Sequence, residues 1–324
     1  MTGGDVVGSS GVTGLRVGLD VGGTKVLGVL LDGDVVRQTV RLSTRQGADG
    51  VVDTAHDVVR ELCAAAGVAS VEAVGMGVPG VVDPRTGTVS YAVNLGIDLS
   101  EVPIGPLLAE RLGTPVTVEN DLNCAALGAS DVLGLPDLAF LALGTGVAAG
   151  LVLDGRLRRG RTGVAGEVGH LPYRRDGALC ACGQRGCLEL YASGSALDAA
   201  WPGPVGTPAP VRLVAAVVAG DTSAAAVLAT FADAVATAVR VLVLTCDVAD
   251  VVLGGGVAQL GPPLLDAVAG AVVRQTSGSA FLRSLRIADR LRLAPAGVPL
   301  GAICAALATR GDTDRISRPA EVVG

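Results

Sequence analysis

The stretch LRVGLDVGGTKVLGVLL, residues 15–31, reads as two apolar strands joined by a tight turn at Val21-Gly22-Gly23-Thr24. A third strand, DVVRQTV (34–40), follows a second turn at Asp32-Gly33-Asp34. The same pattern restarts further on. LAFLAL (138–143) leads through Gly144-Thr145-Gly146 into AAGLVLD (148–154), again strand, glycine turn, strand. Each unit is followed by helical stretches. Two such halves predict an α/β protein of duplicated domains facing a cleft, with the boundary near residue 120. Ligands of open α/β sheets sit at the carboxyl ends of strands, where the glycine turns and Asp121 fall.

Between and after these units the chain is regular enough to place its elements. Ala48–Ala66 has helical periodicity and stops at Gly67. VEAVGMG (71–77) is a strand that Pro79 ends, within Val78-Pro79-Gly80. Ile104–Leu112 is a short helix closed by Gly113, and VTVE (116–119) reads as a buried strand. Asp121 then opens a helix as its N-cap. Further helices are expected at 195–200, 211–219, 222–245 and 264–276 and from Leu300 onward. Strands are expected at 251–258, ending in three glycines, and at 291–294. Residues 1–14 and 311–324 look loose, and the proline-rich 202–210 is a surface loop.

Half of the 324 residues are apolar, only 2% are aromatic and 47 are glycine. That composition describes an aliphatic core with many tight turns. A formal charge of −6 argues against a broad nucleic-acid face, which needs a basic surface. No 18-residue apolar run stands out as a membrane span, and the first 14 residues lack a signal-peptide pattern. Seven cysteines, three of them within eight residues, do not suggest a disulfide framework. A cytoplasmic location follows as the expectation.

The turn Asp20-Val21-Gly22-Gly23-Thr24-Lys25 combines glycines, which let a phosphate approach the backbone, with a hydroxyl and a cation. Alone it could also be a plain hairpin with an Asp-capped turn, and it is not a Walker A loop. The second loop, Gly144-Thr145-Gly146-Val147-Ala148-Ala149, satisfies G-x-G-x-x-[G/A]. An apolar strand and the turn Asp154-Gly155 follow it, whereas a dinucleotide fingerprint needs a helix there. A second phosphate loop fits better. Glu119-Asn120-Asp121-Leu122-Asn123 sets several short polar side chains where a strand meets a helix. Capping explains one of them. A carboxylate that accepts a proton from a substrate hydroxyl, with Asn120 holding neighbouring hydroxyls, explains the group.

The stretch from His170 to Glu189, HLPYRRDGALCACGQRGCLE, carries one of two histidines and three of the seven cysteines. Its spacing, His170-x9-Cys180-x-Cys182-x4-Cys187, gives four ligands of the Cys₃His type, a closed structural zinc site with no open position for a catalytic water. Glu167 and Glu189 stand just outside it. Cys63, Cys124, Cys246 and Cys304 read as small buried hydrophobes. No serine or cysteine nucleophile with a histidine partner is apparent: His56 sits on a helical stretch, and G-x-S-x-G does not occur.

Asp20–Lys25, Glu167-x-Gly169-His170 and Cys180-x-Cys182-Gly183-x-x-Gly186-Cys187-x-Glu189 together resemble the ROK family (repressors, open reading frames and sugar kinases), over roughly residues 15–310. The resemblance implies two actin-like ATPase, ribonuclease H-like domains around a central cleft, with a structural zinc loop at 170–187. A smaller domain would run over 15–119 and a larger one over 120–300, with a helix within 301–324 packing back on the smaller domain. It implies ATP- and Mg²⁺-dependent phosphorylation of a hexose at its primary hydroxyl. Asp20, Gly22, Gly23, Thr24 and Lys25 would form the first phosphate motif, with Asp20 near the Mg²⁺. Gly144, Thr145 and Gly146 would form the second, and Gly254, Gly255 and Gly256 the adenosine loop. Asp121 would be the catalytic base. Gly80, Asn94, Asn120, Glu167, His170 and Glu189 would join it in binding sugar, and His170, Cys180, Cys182 and Cys187 would hold zinc.

The family's repressors carry a helix-turn-helix domain, and the 19 residues ahead of Asp20 are too few for one. The resemblance implies a sugar, a nucleotide and a second copy of the chain as partners, without nucleic acid or membrane. Glucose leads among substrates. Asn94-Leu95-Gly96-Ile97 lacks a tryptophan common among the family's glucokinases, so an amino-hexose (kanosamine, N-acetylglucosamine or N-acetylmannosamine), fructose or allose stands as the alternative. A sugar-sensing regulator without catalysis is the alternative of another class.

Overall fold

The structure is a computed structural model that describes residues 14–98, 100–204 and 206–309. The ends expected to be loose, 1–14 and 311–324, lie outside these residues apart from Gly14. The described residues form two compact units, 14–119 with 302–309, and 120–301.

In the first unit, β1 (Leu15–Val21), β2 (Lys25–Asp32) and β3 (Val35–Ser43) form an antiparallel meander. Helix α1 (Ala48–Ala66) then leads to β4 (Ala73–Val78), which pairs parallel to β1. The helix ends where the sequence requires. Gly67 adopts the left-handed conformation, and the N–H groups of Gly67 and Val68 bond back to Ala64 O and Cys63 O. A short hairpin of β5 (Val81–Asp83) and β6 (Thr88–Ser90), the helix α2 (Ile104–Leu112) and the strand β7 (Val116–Asn120) follow. The sheet order is β3-β2-β1-β4-β7.

In the second unit, α3 (Asp121–Leu133) precedes the meander β8 (Leu138–Leu143), β9 (Val147–Leu153) and β10 (Arg156–Leu157). Helices α4 (Glu189–Ala192), α5 (Gly194–Ala200), α6 (Ala209–Val218) and α7 (Thr222–Cys246) come next. They are followed by β11 (Asp250–Gly254), α8 (Pro262–Thr276), α9 (Ala280–Ser284) and β12 (Leu291–Leu293), and α10 (Leu300–Ala308) then carries the chain back into the first unit. The order β10-β9-β8-β11-β12 repeats that of the first sheet, with β11 parallel to β8 as β4 is to β1. The duplication expected from the two glycine turns is therefore a duplication of sheet topology.

Residues 302–309 belong with the first unit, and the reason lies in two glycines. Gly18 on β1 and Gly75 on β4 are paired neighbours in the sheet. A methyl group on either would overlap α10 backbone, the Ala302 carbonyl oxygen at Gly18 and the Ala305 carbonyl oxygen at Gly75. The bare strip lets a helix of small residues approach closely, and Ala302, Ile303, Ala305 and Ala306 are buried.

Several expectations change. β7 is not a buried strand, since only Val118 is covered. The N-cap of α3 is Asn120, not Asp121: its Oδ1 accepts from Leu122 N at 3.0 Å and Asn123 N at 3.2 Å. Among the described residues one helix, α7, is long and apolar enough to cross a membrane by length and composition, contrary to the expectation that no such run stands out. Phe231, Val235, Val239 and Leu242 on α7 are buried in the core of the second unit, which reads as the position of a core helix.

Candidate active site

The first glycine turn is a rigid hairpin end. Gly22 N donates to Lys25 O at 2.8 Å, Thr44 Oγ1 donates to Gly22 O at 2.6 Å, and Gln46 Nε2 donates to Gly23 O at 2.8 Å. Gly23 also lies against the Asn94 backbone: a methyl group there would sit 2.8 Å from Asn94 O. The sequence-predicted Asn94 is thus brought to the Asp20–Lys25 hairpin, and Gly80, at φ +102, makes its turn against Ser90 and Ala92 in the same unit. Burial raises the pKa of the Asp20 carboxyl, and the Lys25 ammonium pulls it partly back. Asp20 is half-buried, and a further cation beside it would stabilise its ionised form.

In the second unit, β9 gathers the other residues. The Leu122 carbonyl, next to Asp121, stands where a methyl on Gly150 would sit 2.9 Å from it. On the preceding residue of β9, Ala149 N donates to Gly166 O at 2.8 Å, which sets Glu167 beside the strand. Asp121 Oδ1 accepts from Leu122 N at 2.8 Å, so the carboxylate is held at the positive end of α3. Glu167 Oε2 lies 3.9 Å from His170 Nε2.

His170, Cys180, Cys182 and Cys187 offer ligand atoms that all lie within 4.8 Å of one another. Cys182 and Cys187 Sγ are 3.5 Å apart, near the roughly 3.8 Å edge of a tetrahedron with Zn–S bonds of about 2.3 Å. His170 Nδ1 is buried without a hydrogen-bond partner, while Nε2 faces Glu167. An orphaned buried ring nitrogen beside three thiols is what a metal would satisfy, so the donor set fits zinc. The loop backbone already holds the shape, with Cys180 N donating to Gln184 O at 2.7 Å and Gly183 N to Cys180 O at 2.9 Å. Donation from Gln184 N, aided by neighbouring thiols, lowers the Cys182 pKa to about 6, and burial raises that of Cys187. Behind the loop, the Arg174 guanidinium packs on the rings of Tyr173 and Tyr191, 6.0 and 5.1 Å from their centroids.

The second glycine loop closes on itself through Gly144 N to Gly146 O at 3.0 Å, and Gly194 N donates to Gly144 O at 2.7 Å. Among the described residues, Thr145 N and Gly146 N donate to no protein acceptor, which leaves two adjacent amides for an anion. Gly144 and Thr145 line a cavity of about 910 Å³ shared with Gly256. Of the three glycines in the 254–256 run, only Gly256 lines it. Gly254 is packed under the Phe140 ring, and Gly255 turns the chain at φ +83 against Leu143 O. Sequence reasoning missed the other wall residues, among them the polar Ser195, Asp198, Arg212 and Gln259. Arg212 Nη2 donates to Trp201 O at 3.0 Å and its Nη1 to Thr207 O, which braces the proline-rich loop. Glu189, expected beside the metal cluster and toward a sugar, also reaches the exit of the glycine loop. Its Oε2 accepts from Val147 N at 3.0 Å.

A model of the ROK family matches residues 16–306. The chain belongs to the ROK family. Its α/β fold is that of ROK sugar kinases. The ROK glucokinase of Streptomyces griseus, solved with glucose and AMPPNP, is 31% identical with a TM-score of 0.75, and the match covers 92% of this chain and all of that one. The N-acetyl-D-glucosamine kinase of Pasteurella multocida is 33% identical over 75% of this chain and 84% of its own length. The glucokinase of Streptomyces coelicolor is 38% identical over 57% of this chain, and the match spans only 58% of that protein's length.

Proposed function

We propose that this ROK protein is a cytoplasmic hexose kinase that transfers a phosphoryl group from ATP to the primary hydroxyl of a hexose, glucose first and an amino-hexose second. The observation that carries the reading is the convergence of Gly144, Thr145 and Gly256 on one large cavity, in the unit that also holds Asp121, Glu167, His170 and Glu189. The relatives named glucokinase and N-acetyl-D-glucosamine kinase support it from outside.

Phosphoryl transfer asks mainly for positioning and charge neutralisation. Asp121, fixed at the start of α3, would take the proton of the attacking hydroxyl. Asn120, whose Oδ1 caps α3, would stand beside Asp121 among the sugar ligands. Glu167, His170 Nε2 and Glu189 Oε1 would accept from or donate to ring hydroxyls. The amides of Thr145 and Gly146 would receive phosphate oxygens, and Asp20–Lys25 would supply the first phosphate motif. Mg²⁺ would be held near Asp20 and would neutralise phosphate charge. Zinc on His170, Cys180, Cys182 and Cys187 would fix the loop, with all its positions filled by protein.

An ADP-release assay over a panel of hexoses and amino-hexoses tests the function. Turnover is expected with glucose or an amino-hexose. Sugar binding without turnover on any member would favour a sensing role and reject the kinase reading.

Asp20 yields a second expectation. Its folded pKa is raised, so ionised Asp20 opposes folding at neutral pH, and the opposition fades as pH falls through that pKa. Without Mg²⁺, Asp20→Asn should therefore melt no lower than the wild type at pH 7, and the difference should vanish on acidification. The same variant should need far more Mg²⁺ for turnover. A drop in melting temperature together with an unchanged Mg²⁺ requirement would refute both parts.

A further inference from the structure

Building on the kinase reading, we propose that Glu189 is a positioning residue that ties the metal loop to the phosphate loop, so that the Cys₃His site governs nucleotide affinity and not sugar affinity alone. Glu189 follows the metal ligand Cys187 by two residues, and Leu188 between them is buried and donates through its N–H to Leu171 O at 2.9 Å. The Glu189 carboxylate then reaches across 42 residues to accept the Val147 N–H at the exit of the Gly144–Gly146 loop. The contact is tight, since a methyl group on Gly146 would overlap Glu189 Oε2.

The other end of the metal loop touches the same place. Gly169, beside the ligand His170, lies so close to β9 that a methyl there would overlap Val147 O. Ala149 N donates to Gly166 O at 2.8 Å. Both arms of the loop, on the His170 side and on the Cys187 side, therefore close on Val147–Ala149. A carboxylate beside a phosphate site would repel the ligand if it were loose. Here its Oε2 is bound by a backbone N–H, and that bond also fixes where the preceding amides point.

The test is nucleotide binding without sugar, measured by calorimetry with Mg²⁺ and AMPPNP on the zinc-loaded full chain. Glu189→Ala should weaken AMPPNP by about tenfold, the scale of losing a hydrogen bond to a charged group, while retaining one zinc per chain. Glu189→Gln, whose amide oxygen can still accept from Val147 N–H, should stay within about threefold of the wild type by the same reasoning. Chelating the zinc should weaken the wild type about as much as Glu189→Ala does, and should weaken Glu189→Ala little further. Wild-type affinity in Glu189→Ala, loss of zinc from that variant, or chelation that lowers only glucose affinity would each overturn the inference. Failure of the zinc-loaded wild type to bind AMPPNP would overturn the kinase reading, and this inference with it.

Discussion

Asp121→Asn should lose about 10³-fold in kcat for sugar phosphorylation, within the range that general-base catalysis supplies, while sugar affinity stays near that of the wild type. The substitution is nearly isosteric. Asn can still accept from Leu122 N, as Asp121 Oδ1 does at 2.8 Å, and the helix cap is Asn120, so α3 keeps its start. What disappears is the site that can take a proton. Because Asp121 is held by its own first turn and not by a flexible loop, the variant should not reposition sugar, and calorimetric sugar binding should change less than about threefold. The expected signature is a kcat loss with little change in KM, the mark of an interaction made in the transition state only. Asn120→Ala makes the contrast. Removing the cap should destabilise α3 by about 1 kcal/mol and disturb both constants. If Asp121→Asn turned over at a tenth of the wild-type rate or better, the base would have to be another group.

The residues that carry local patterns were the ones readable in the sequence. Paired glycines in short turns between apolar runs, Gly22-Gly23 and Gly144-Thr145-Gly146, announce hairpins, so β1–β2 and β8–β9 and their loops emerge directly. The Cys₃His spacing is likewise local, and the four ligand atoms do converge. Short or ambiguous segments did not announce themselves. β5 and β6 have three residues each, too few for an alternation to show, and α9 has five. Asn120 and Asp121 are both good caps, and only the backbone geometry decides that Asn120 serves. Three successive glycines at 254–256 cannot reveal that one is buried under Phe140, one turns the chain and one faces the cavity. Arg212 and the Glu189–Val147 bond depend on partners brought together by tertiary folding, and no spacing rule reaches them.

Gly75→Ala should be among the most damaging single-methyl changes in the first unit. The added carbon would overlap the backbone oxygen of Ala305, and backbone inside a helix cannot rotate out of the way as a side chain tip can. Either α10 must lift from the sheet or β4 must bend, and both expose the buried face formed by Ala302, Ile303 and Ala305. Overpacking of this kind costs about 3 kcal/mol or more, which corresponds to a fall in melting temperature of about 10 °C. Gly278→Ala is the control, since a methyl there meets nothing within 4 Å and the melting temperature should barely move. A second comparison separates this account from a simple volume effect. Trimming the opposing residue, Ala305→Gly, should fail to rescue Gly75→Ala, because the blocking atom is the carbonyl oxygen that glycine retains. Full rescue by that trim would mean that side-chain crowding governs the contact. An unchanged melting temperature in Gly75→Ala would mean that α10 is not seated on the Gly18–Gly75 strip.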